Sequence, residues 1–189
     1  MVLTAVTRSL RITHLSLFRT VIVAGLLATV AATQADQTLP GRVLRVVDGD
    51  RLIIDVRGSQ HLVSLAGIDA PEQNQPWGAA AAQHLNTTMT GLFVVVEVWD
   101  TNRDREVTGR VALKGRDVAL DLLHDGLAWS TIGLNGPHDD RHPYVQAEHQ
   151  ARAARRGLWS DDQPVPPWQW REQRGGQGNR PEAGLLQPR

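Results

Sequence analysis

The chain has 189 residues, a length typical of one domain with extensions at its ends, and its 20 basic residues balance its 20 acidic residues. It therefore lacks the basic footprint of proteins that bind nucleic acid tightly and without specificity, which argues against a storage or packaging role. The absence of cysteine excludes zinc ribbons, iron–sulfur clusters and thiol catalysis.

The first 35 residues have the layout of a secretory signal peptide. Arg8, Arg11 and Arg19 precede an apolar run at 21–32, and small residues follow as far as Ala35. We expect cleavage after Ala35 or Ala32, although an uncleaved anchor is the alternative for an apolar run of this length. Processing would leave 17 basic and 20 acidic residues, a net charge of −3. The predicted location is secreted or periplasmic, without stable membrane association after processing.

The remaining chain predicts an α+β domain that is mainly β. After a lead-in at 36–40, alternating or β-branched residues predict five strands at 41–47, 51–56, 61–66, 92–98 and 110–113. Three helices are expected at 78–89, 116–124 and 144–156. The proline-rich segment 164–171 predicts an extended arm. The glycine- and glutamine-rich segment 172–189 predicts a disordered tail, so the folded domain should span 41–171.

Four carboxylates lie at the ends of the first predicted strands. Asp48-Gly49 predicts a hairpin turn, in which glycine would accept a positive φ angle, and Asp50 has the inward parity of Leu52. Asp69 and Glu72 lie on either side of a proline whose fixed φ limits their separation. Clustered carboxylates repel each other unless a cation lies among them, and oxygen ligands favour calcium or magnesium. The alternative is that these residues only form turns and cap a loop.

Five motifs in this order resemble the staphylococcal nuclease (thermonuclease) family. They are Val-Val-Asp-Gly-Asp at 46–50, Leu-Ala-Gly-Ile-Asp-Ala-Pro-Glu at 65–72, Gly-Arg at 109–110, Gly-Leu-Ala-Trp at 126–129, and the segment from Ala-Arg at 151–152 to Gly-Leu-Trp at 157–159. The resemblance covers about 41–171. It implies a five-stranded OB-fold barrel with three helices and a calcium-dependent phosphodiesterase site.

The same resemblance implies a role for each of five residues. Asp50, Asp69 and the backbone carbonyl of Ala70 would bind Ca²⁺, Glu72 would be the general base, and Arg110 would be a phosphate clamp. Asp48 would orient Asp50 through the turn. Taken alone, Arg110 could equally be a solvated strand residue. A further cluster at 138–142, with two histidines and two aspartates, is interpreted as a solvated loop.

Several positions depart from the family pattern. Ser64 stands where the family has an arginine, and Thr108 where it has a tyrosine before the Gly-Arg pair. Ile132 and Leu134 lie nearest the positions of two nucleotide-flanking tyrosines. Arg51 and Arg57 share the outward parity of Asp55, so no replacement arginine is expected.

Two functions follow as hypotheses. The first is an exported, monomeric, calcium-dependent endonuclease that cleaves DNA and RNA with reduced activity, because Ser64 replaces the expected arginine. Glu72 favours this reading, since a pure binding module needs no base. The second is a non-catalytic OB-fold module that binds nucleic acid, another polyanion or a protein partner. The negative charge and the missing aromatic residues favour a module that no longer binds nucleic acid.

Overall fold

The computed structural model describes residues 37–102, 106–134 and 142–174. The predicted signal peptide at 1–35 and most of the predicted tail lie outside these ranges and stay predictions. Among the described residues, no helix has both the length and the apolar character needed to cross a bilayer.

Five long strands form the barrel: β1 (Thr38–Val46), β2 (Arg51–Val56), β3 (Ser59–Leu65), β5 (Phe93–Thr101) and β6 (Glu106–Leu113). They lie in the order β3-β2-β1-β5-β6, and a parallel pairing of β3 with β6 closes the sheet on itself. This confirms the predicted five-stranded OB-fold barrel. The first, fourth and fifth strands are longer than expected, and β1 begins inside the segment assigned to the lead-in.

The three short strands are β4 (Ile68–Asp69), β7 (Arg116–Asp117) and β8 (Trp129–Ser130). β7 pairs with β6 at the end of the barrel sheet, whereas β4 and β8 form a separate two-stranded sheet. β4 pairs with β8 and places Asp69 opposite Trp129. The turn before β4 needs a glycine, because Gly67 has φ +77° and a Cβ there would lie 2.7 Å from the Tyr144 ring. The tight turn brings Asp69 to the barrel rim.

Four α-helices pack around these strands: α1 (Gly78–Met89), α2 (Val118–His124), α3 (Pro143–Ala153) and α4 (Pro167–Gln173). A 3₁₀ turn spans Gly157–Ser160. Helix α1 has the predicted bounds and buries Ala81, Leu85 and Met89 against the barrel core. Helix α2 begins two residues later than expected, because the Asp117 side chain accepts hydrogen bonds from the backbone N–H groups of Ala119 and Leu120 and caps the helix there.

Helix α4 corrects the prediction of an extended arm at 164–171. Pro166 is its N-cap and Pro167 its first residue, a position where proline loses no hydrogen bond because the first turn of a helix has no acceptor for that N–H. The predicted tail also begins inside this helix, since Glu172 and Gln173 are its last two residues. Within the described ranges the structure therefore has four α-helices, not three.

Candidate active site

The turn between β1 and β2 carries the first two acidic residues. The backbone N–H of Val47 donates to the Arg51 carbonyl at 2.8 Å, and the Asp48 carboxylate accepts from the Asp50 N–H at 3.3 Å. Gly49 does not need the positive φ angle that was predicted. It is required because a Cβ would lie 2.7 Å from the Cβ of Ala70, so the turn packs closely against the neighbouring loop.

The same packing brings Asp50 next to the loop that follows β4. The backbone N–H of Ala70 donates to Asp50 Oδ2 at 3.4 Å, and the Leu65 N–H donates to the Asp50 carbonyl at 2.9 Å. The residues Asp50 and Asp69 are 6% and 8% exposed. Two buried carboxylates on adjacent loops form an acidic cleft at the rim of the barrel, as the inward parity of Asp50 predicted.

Glu72 lies in the same loop and is 5% exposed. Its backbone N–H donates to the Gln75 side-chain oxygen at 3.0 Å, and its carbonyl accepts from the Gln75 N–H at 2.8 Å. The tight loop also needs Gly78, because a Cβ there would lie 1.8 Å from the Glu72 carbonyl oxygen. These contacts fix the backbone of the loop at Glu72.

An arginine from α4 connects two of the carboxylates. Arg171 binds Asp69 in a bidentate manner, with Nη2 2.7 Å from Oδ2 and Nη1 3.3 Å from Oδ1, and Nη1 also lies 2.7 Å from Glu72 Oε1. The hydrogen bond to Asp69 raises the pKa of the guanidinium above its ordinary value, burial opposes this rise, and the bond to Glu72 adds to it. The guanidinium therefore neutralises much of the charge of this pair.

Helix α4 is held to the Glu72 loop by further contacts. The Gln75 side chain donates to the Val165 carbonyl at 2.6 Å, and the Trp170 indole N–H donates to the Asn74 side chain at 3.2 Å. Trp168 packs edge-on against Trp129, with ring centroids 5.8 Å apart. The position of Arg171 is thus fixed by contacts of the residues that precede it in the chain.

A pocket of about 430 Å³ opens beside the carboxylates. It is lined by Asp69, Thr131, Leu134, Trp168 and Arg171. The lining combines an acidic and a cationic side chain with an apolar side chain and an indole ring. This composition suits a ligand that combines a phosphate with a flat apolar group.

Arg110, the predicted phosphate clamp, contacts carboxylates other than those that Arg171 binds. Its Nε is 2.8 Å from Asp117 Oδ2 and its Nη1 is 2.7 Å from Glu97 Oε1. The hydrogen bond to Asp117 raises the pKa of Arg110. The Tyr144 hydroxyl donates to the same Asp117 oxygen at 2.8 Å, and burial, followed by this hydrogen bond, raises the pKa of Tyr144. Two carboxylates thus neutralise Arg110.

Ser64 stands where the family resemblance implies an arginine, and neither Ser64 nor the neighbouring Arg51 offers a free cation there. The Ser64 hydroxyl donates to Glu106 at 2.7 Å, and Ser64 lies directly opposite Arg51 in the pairing of β2 with β3. Arg51 was predicted to point outward, which is wrong: the residue is 4% exposed and its Nε lies 2.7 Å from Asp48 Oδ2. The ion pair with Asp48 lets a charged residue be buried where parity predicted solvent. Arg51 Nη2 lies 2.7 Å from the same oxygen, without a well-aligned hydrogen bond.

The donor chemistry of the cleft suits a hard cation. Within 37–102, 106–134 and 142–174, no three histidine, cysteine or carboxylate side chains converge closely enough to form a metal site by themselves. Two carboxylates are nevertheless sufficient where water and phosphate oxygens complete the coordination of calcium or magnesium. Asp50 and Asp69 fit that requirement. The Ala70 carbonyl, the third predicted ligand, belongs to the same loop.

Sequence reasoning missed Arg171 and Gln75. Arg171 lies 102 residues from Asp69 along the chain, so no local pattern connects them. The available signal was Pro167 followed by residues without glycine or proline as far as Gln173, a pattern typical of a helix with proline at its first position. The remaining cluster predicted at 138–142 lies outside the described residues except for His142, which caps α3.

Comparisons with known proteins agree with this geometry. A family model described as staphylococcal nuclease homologue matches residues 62–161. Protein ParB of Escherichia coli is 34% identical over 159 residues, covering 79% of this chain and 89% of that protein. An uncharacterized endonuclease of Escherichia coli is 37% identical over 136 residues, covering 71% and 86%.

A plant relative matches over a smaller part of its length. The staphylococcal-like nuclease CAN1 of Arabidopsis thaliana is 31% identical over 122 residues, which cover 65% of this chain and 36% of that protein. The family match spans more than half of the chain and includes Asp69, Glu72 and Arg110. By its barrel, its acidic cleft and these matches, the chain belongs to the family of staphylococcal nuclease homologues.

Proposed function

We propose that the protein is an exported, calcium-dependent nuclease that hydrolyses phosphodiester bonds in DNA and RNA. The observation that carries the proposal is that Asp69, which lines an open pocket, shares Arg171 with Glu72, while Asp50 accepts from the N–H of Ala70, the residue after Asp69. All three carboxylates are less than 10% exposed, and a structural role alone does not require them to be buried here, because burying charge is costly.

Each residue has a chemical task in this proposal. Asp50 and Asp69, with the Ala70 carbonyl, would hold a calcium ion, which supplies positive charge to the non-bridging phosphate oxygens. Glu72 would accept a proton from the attacking water, since its backbone is fixed by Gln75 and its carboxylate is oriented by Arg171. The apolar wall of the pocket, which includes Trp168, would contact a nucleobase.

The activity is expected to be low. Ser64 donates to Glu106 and offers no charge to a phosphate, and the guanidinium of Arg110 is occupied by Asp117 and Glu97. Losing one donor to a developing anion typically lowers the rate on the order of 10²–10³-fold. These contacts support a slow enzyme with an intact base.

The test is digestion of plasmid DNA and of RNA by the purified mature protein, with calcium and with chelator. We expect cleavage only with calcium, and its loss in the variants Asp50→Asn, Asp69→Asn and Glu72→Gln. Asp55→Asn, in the hairpin at the other end of β2, is the control and should leave cleavage unchanged. Calcium should also raise the melting temperature of the wild type, and less so in the Asp50 and Asp69 variants.

The second candidate is a non-catalytic module that binds a polyanion or a protein. The neutralisation of Asp69 and Glu72 by Arg171 favours it, because this ion pair stabilises the cleft without a metal. The two functions differ in the digestion assay. If the wild type shows no calcium-dependent cleavage of either substrate and no calcium-induced thermal shift, the nuclease proposal is rejected in favour of the module.

Export is proposed from the signal-peptide layout of the first 35 residues. The intact mass of protein recovered from the periplasm or the medium should correspond to a chain starting at Asp36 or Thr33. Recovery of a mass that still includes residues 1–35 would contradict export by cleavage.

A further inference from the structure

Among the described residues, Arg51, Arg110 and Arg171 differ in their contacts in a way that bears on substrate binding. Arg51 is buried and paired with Asp48, and Arg110 is bound by the carboxylates of Asp117 and Glu97. The side chain of Arg171 is 28% exposed and lines the open pocket. Arg171 is therefore the arginine of these three that a ligand in the pocket would meet.

The contact between Arg171 and Glu72 brings the guanidinium close to where the reacting phosphate would lie in the proposed reaction. A water activated by Glu72 must lie about 3 Å from its carboxylate and about 3–3.5 Å from the phosphorus. Nη1 of Arg171 lies 2.7 Å from Glu72 Oε1, so a phosphate in this position would be within reach of the same guanidinium. The remaining requirement is that the guanidinium has donors to offer.

The contacts within the described residues account for three of its five N–H donors. Nη1 directs its two to Asp69 and Glu72, and Nη2 directs one to Asp69. The second Nη2 hydrogen and the Nε hydrogen are left, and guanidinium groups bind phosphate through such pairs of donors. The two ion pairs thus orient the group while leaving one side of it for an anion.

We propose that Arg171, delivered by helix α4, is the arginine that binds the scissile phosphate, in place of the cation missing at position 64. The inference rests on the proposed nuclease function, because it uses Glu72 as the base. It makes α4 part of the substrate site and not only a cover for the barrel. Arg171 then stabilises the charge that develops on the phosphate oxygens as water attacks.

The first test measures phosphate contact without cleavage. Binding of a short single-stranded DNA oligonucleotide is followed at increasing salt in the Glu72→Gln background with calcium. Arg171→Met should weaken binding and lower the slope of log affinity against log salt by about 0.7, the value for one lost phosphate contact on a single strand. Arg174→Met is the matched control, since Arg174 follows the same helix and stacks on Trp170 at 4.3 Å, and it should leave the slope unchanged.

The second test measures turnover. Arg171→Met should lower kcat on the order of 10²–10³-fold, Arg171→Lys should recover part of the loss, and millimolar guanidinium should restore activity to Arg171→Met against a sodium chloride control. Guanidinium should not rescue Glu72→Gln. Turnover of Arg171→Met within threefold of the wild type would overturn the proposal.

Calcium affinity separates a substrate role from a supporting one. Removing a cation beside Asp69 should leave calcium binding, measured by titration calorimetry, equal or tighter. If Arg171→Met loses calcium binding by the same factor as turnover, Arg171 only positions the carboxylates and the proposal is wrong. If the wild type itself does not cleave, the nuclease function fails. The salt slope then still decides whether Arg171 contacts phosphate, and an unchanged slope would refute it.

Discussion

Replacing Arg51 by methionine should destabilise the protein far more than replacing an exposed arginine. In the native protein the Asp48 and Arg51 side chains are 7% and 5% exposed, and Nε and Nη2 both lie 2.7 Å from one Asp48 oxygen. At this separation the Coulomb attraction is on the order of 6 kcal/mol with an effective dielectric constant of about 20. Arg51→Met keeps the apolar part of the side chain and leaves the Asp48 carboxylate buried without its cation.

The expected cost is about 3–5 kcal/mol, the usual range when one partner of a buried ion pair is removed. For a domain of this size, that cost lowers the melting temperature by about 6–20 °C. The free energy of unfolding is measured by urea denaturation at neutral pH. Asp48→Asn in the Arg51→Met background should recover most of the loss, because the buried charge is then absent and the amide oxygen still accepts from the Asp50 N–H.

Arg116→Met provides the matched control. Arg116 also forms a short ion pair, 2.6 Å from Asp121, but its side chain is 76% exposed, so its removal should cost at most about 1 kcal/mol. The reasoning is refuted if Arg51→Met costs no more than Arg116→Met. It is also refuted if the double variant is no more stable than Arg51→Met alone.

Three further predictions follow from single contacts. Tyr144 is the one tyrosine of the chain, and burial raises its pKa, so its ionisation, followed by ultraviolet absorbance, should be absent at pH 10–11 until the protein unfolds. Because the pKa of Tyr144 is higher in the folded protein than in the unfolded chain, the stability that protonated Tyr144 provides is complete below about pH 10 and is lost as pH rises further. Tyr144→Phe should remove this part of the loss of stability at alkaline pH. Titration of Tyr144 near pH 10 in the folded protein would contradict its burial. Gly49→Ala should cost about 1–3 kcal/mol in urea denaturation, because the new methyl group would lie 2.7 Å from the Ala70 Cβ, and an unchanged midpoint would show that the turn can relax. Ser64→Ala removes the hydrogen bond to the Glu106 carboxylate and should lower the free energy of unfolding by about 1–3 kcal/mol. Calcium-dependent turnover should stay within threefold of the wild type, and a large loss of turnover would place Ser64 in the reaction.

Local patterns were sufficient to predict most of the barrel. The alternation in β2 and the alanine-rich α1 identified elements whose bounds the structure reproduces, since both depend on side chains adjacent in sequence. The hairpin at Asp48-Gly49 was also found, but for a different physical reason. Its glycine avoids a steric clash with Ala70, a contact that only the folded chain creates.

Sequence periodicity could not predict the ion pairs of Arg51 and Arg171. Parity assigns a charged residue to solvent, whereas Arg51 is buried because the turn places Asp48 beside it. Arg171 was assigned to an extended arm, because the prolines before it were interpreted as breaking any helix. Its partners lie 99 and 102 residues earlier, and their proximity depends on the closure of the barrel and on the docking of α4.

The position of α4 along the chain has a consequence for biosynthesis. Arg171 follows every strand of the barrel, and the ribosome adds it 102 residues after Asp69. At about 5–20 residues per second, a nascent chain carries the carboxylates for roughly 5–20 seconds before their cation is translated. The ion pairs of Arg171 with Asp69 and Glu72 therefore form last, and the cleft is completed only after α4 has been translated.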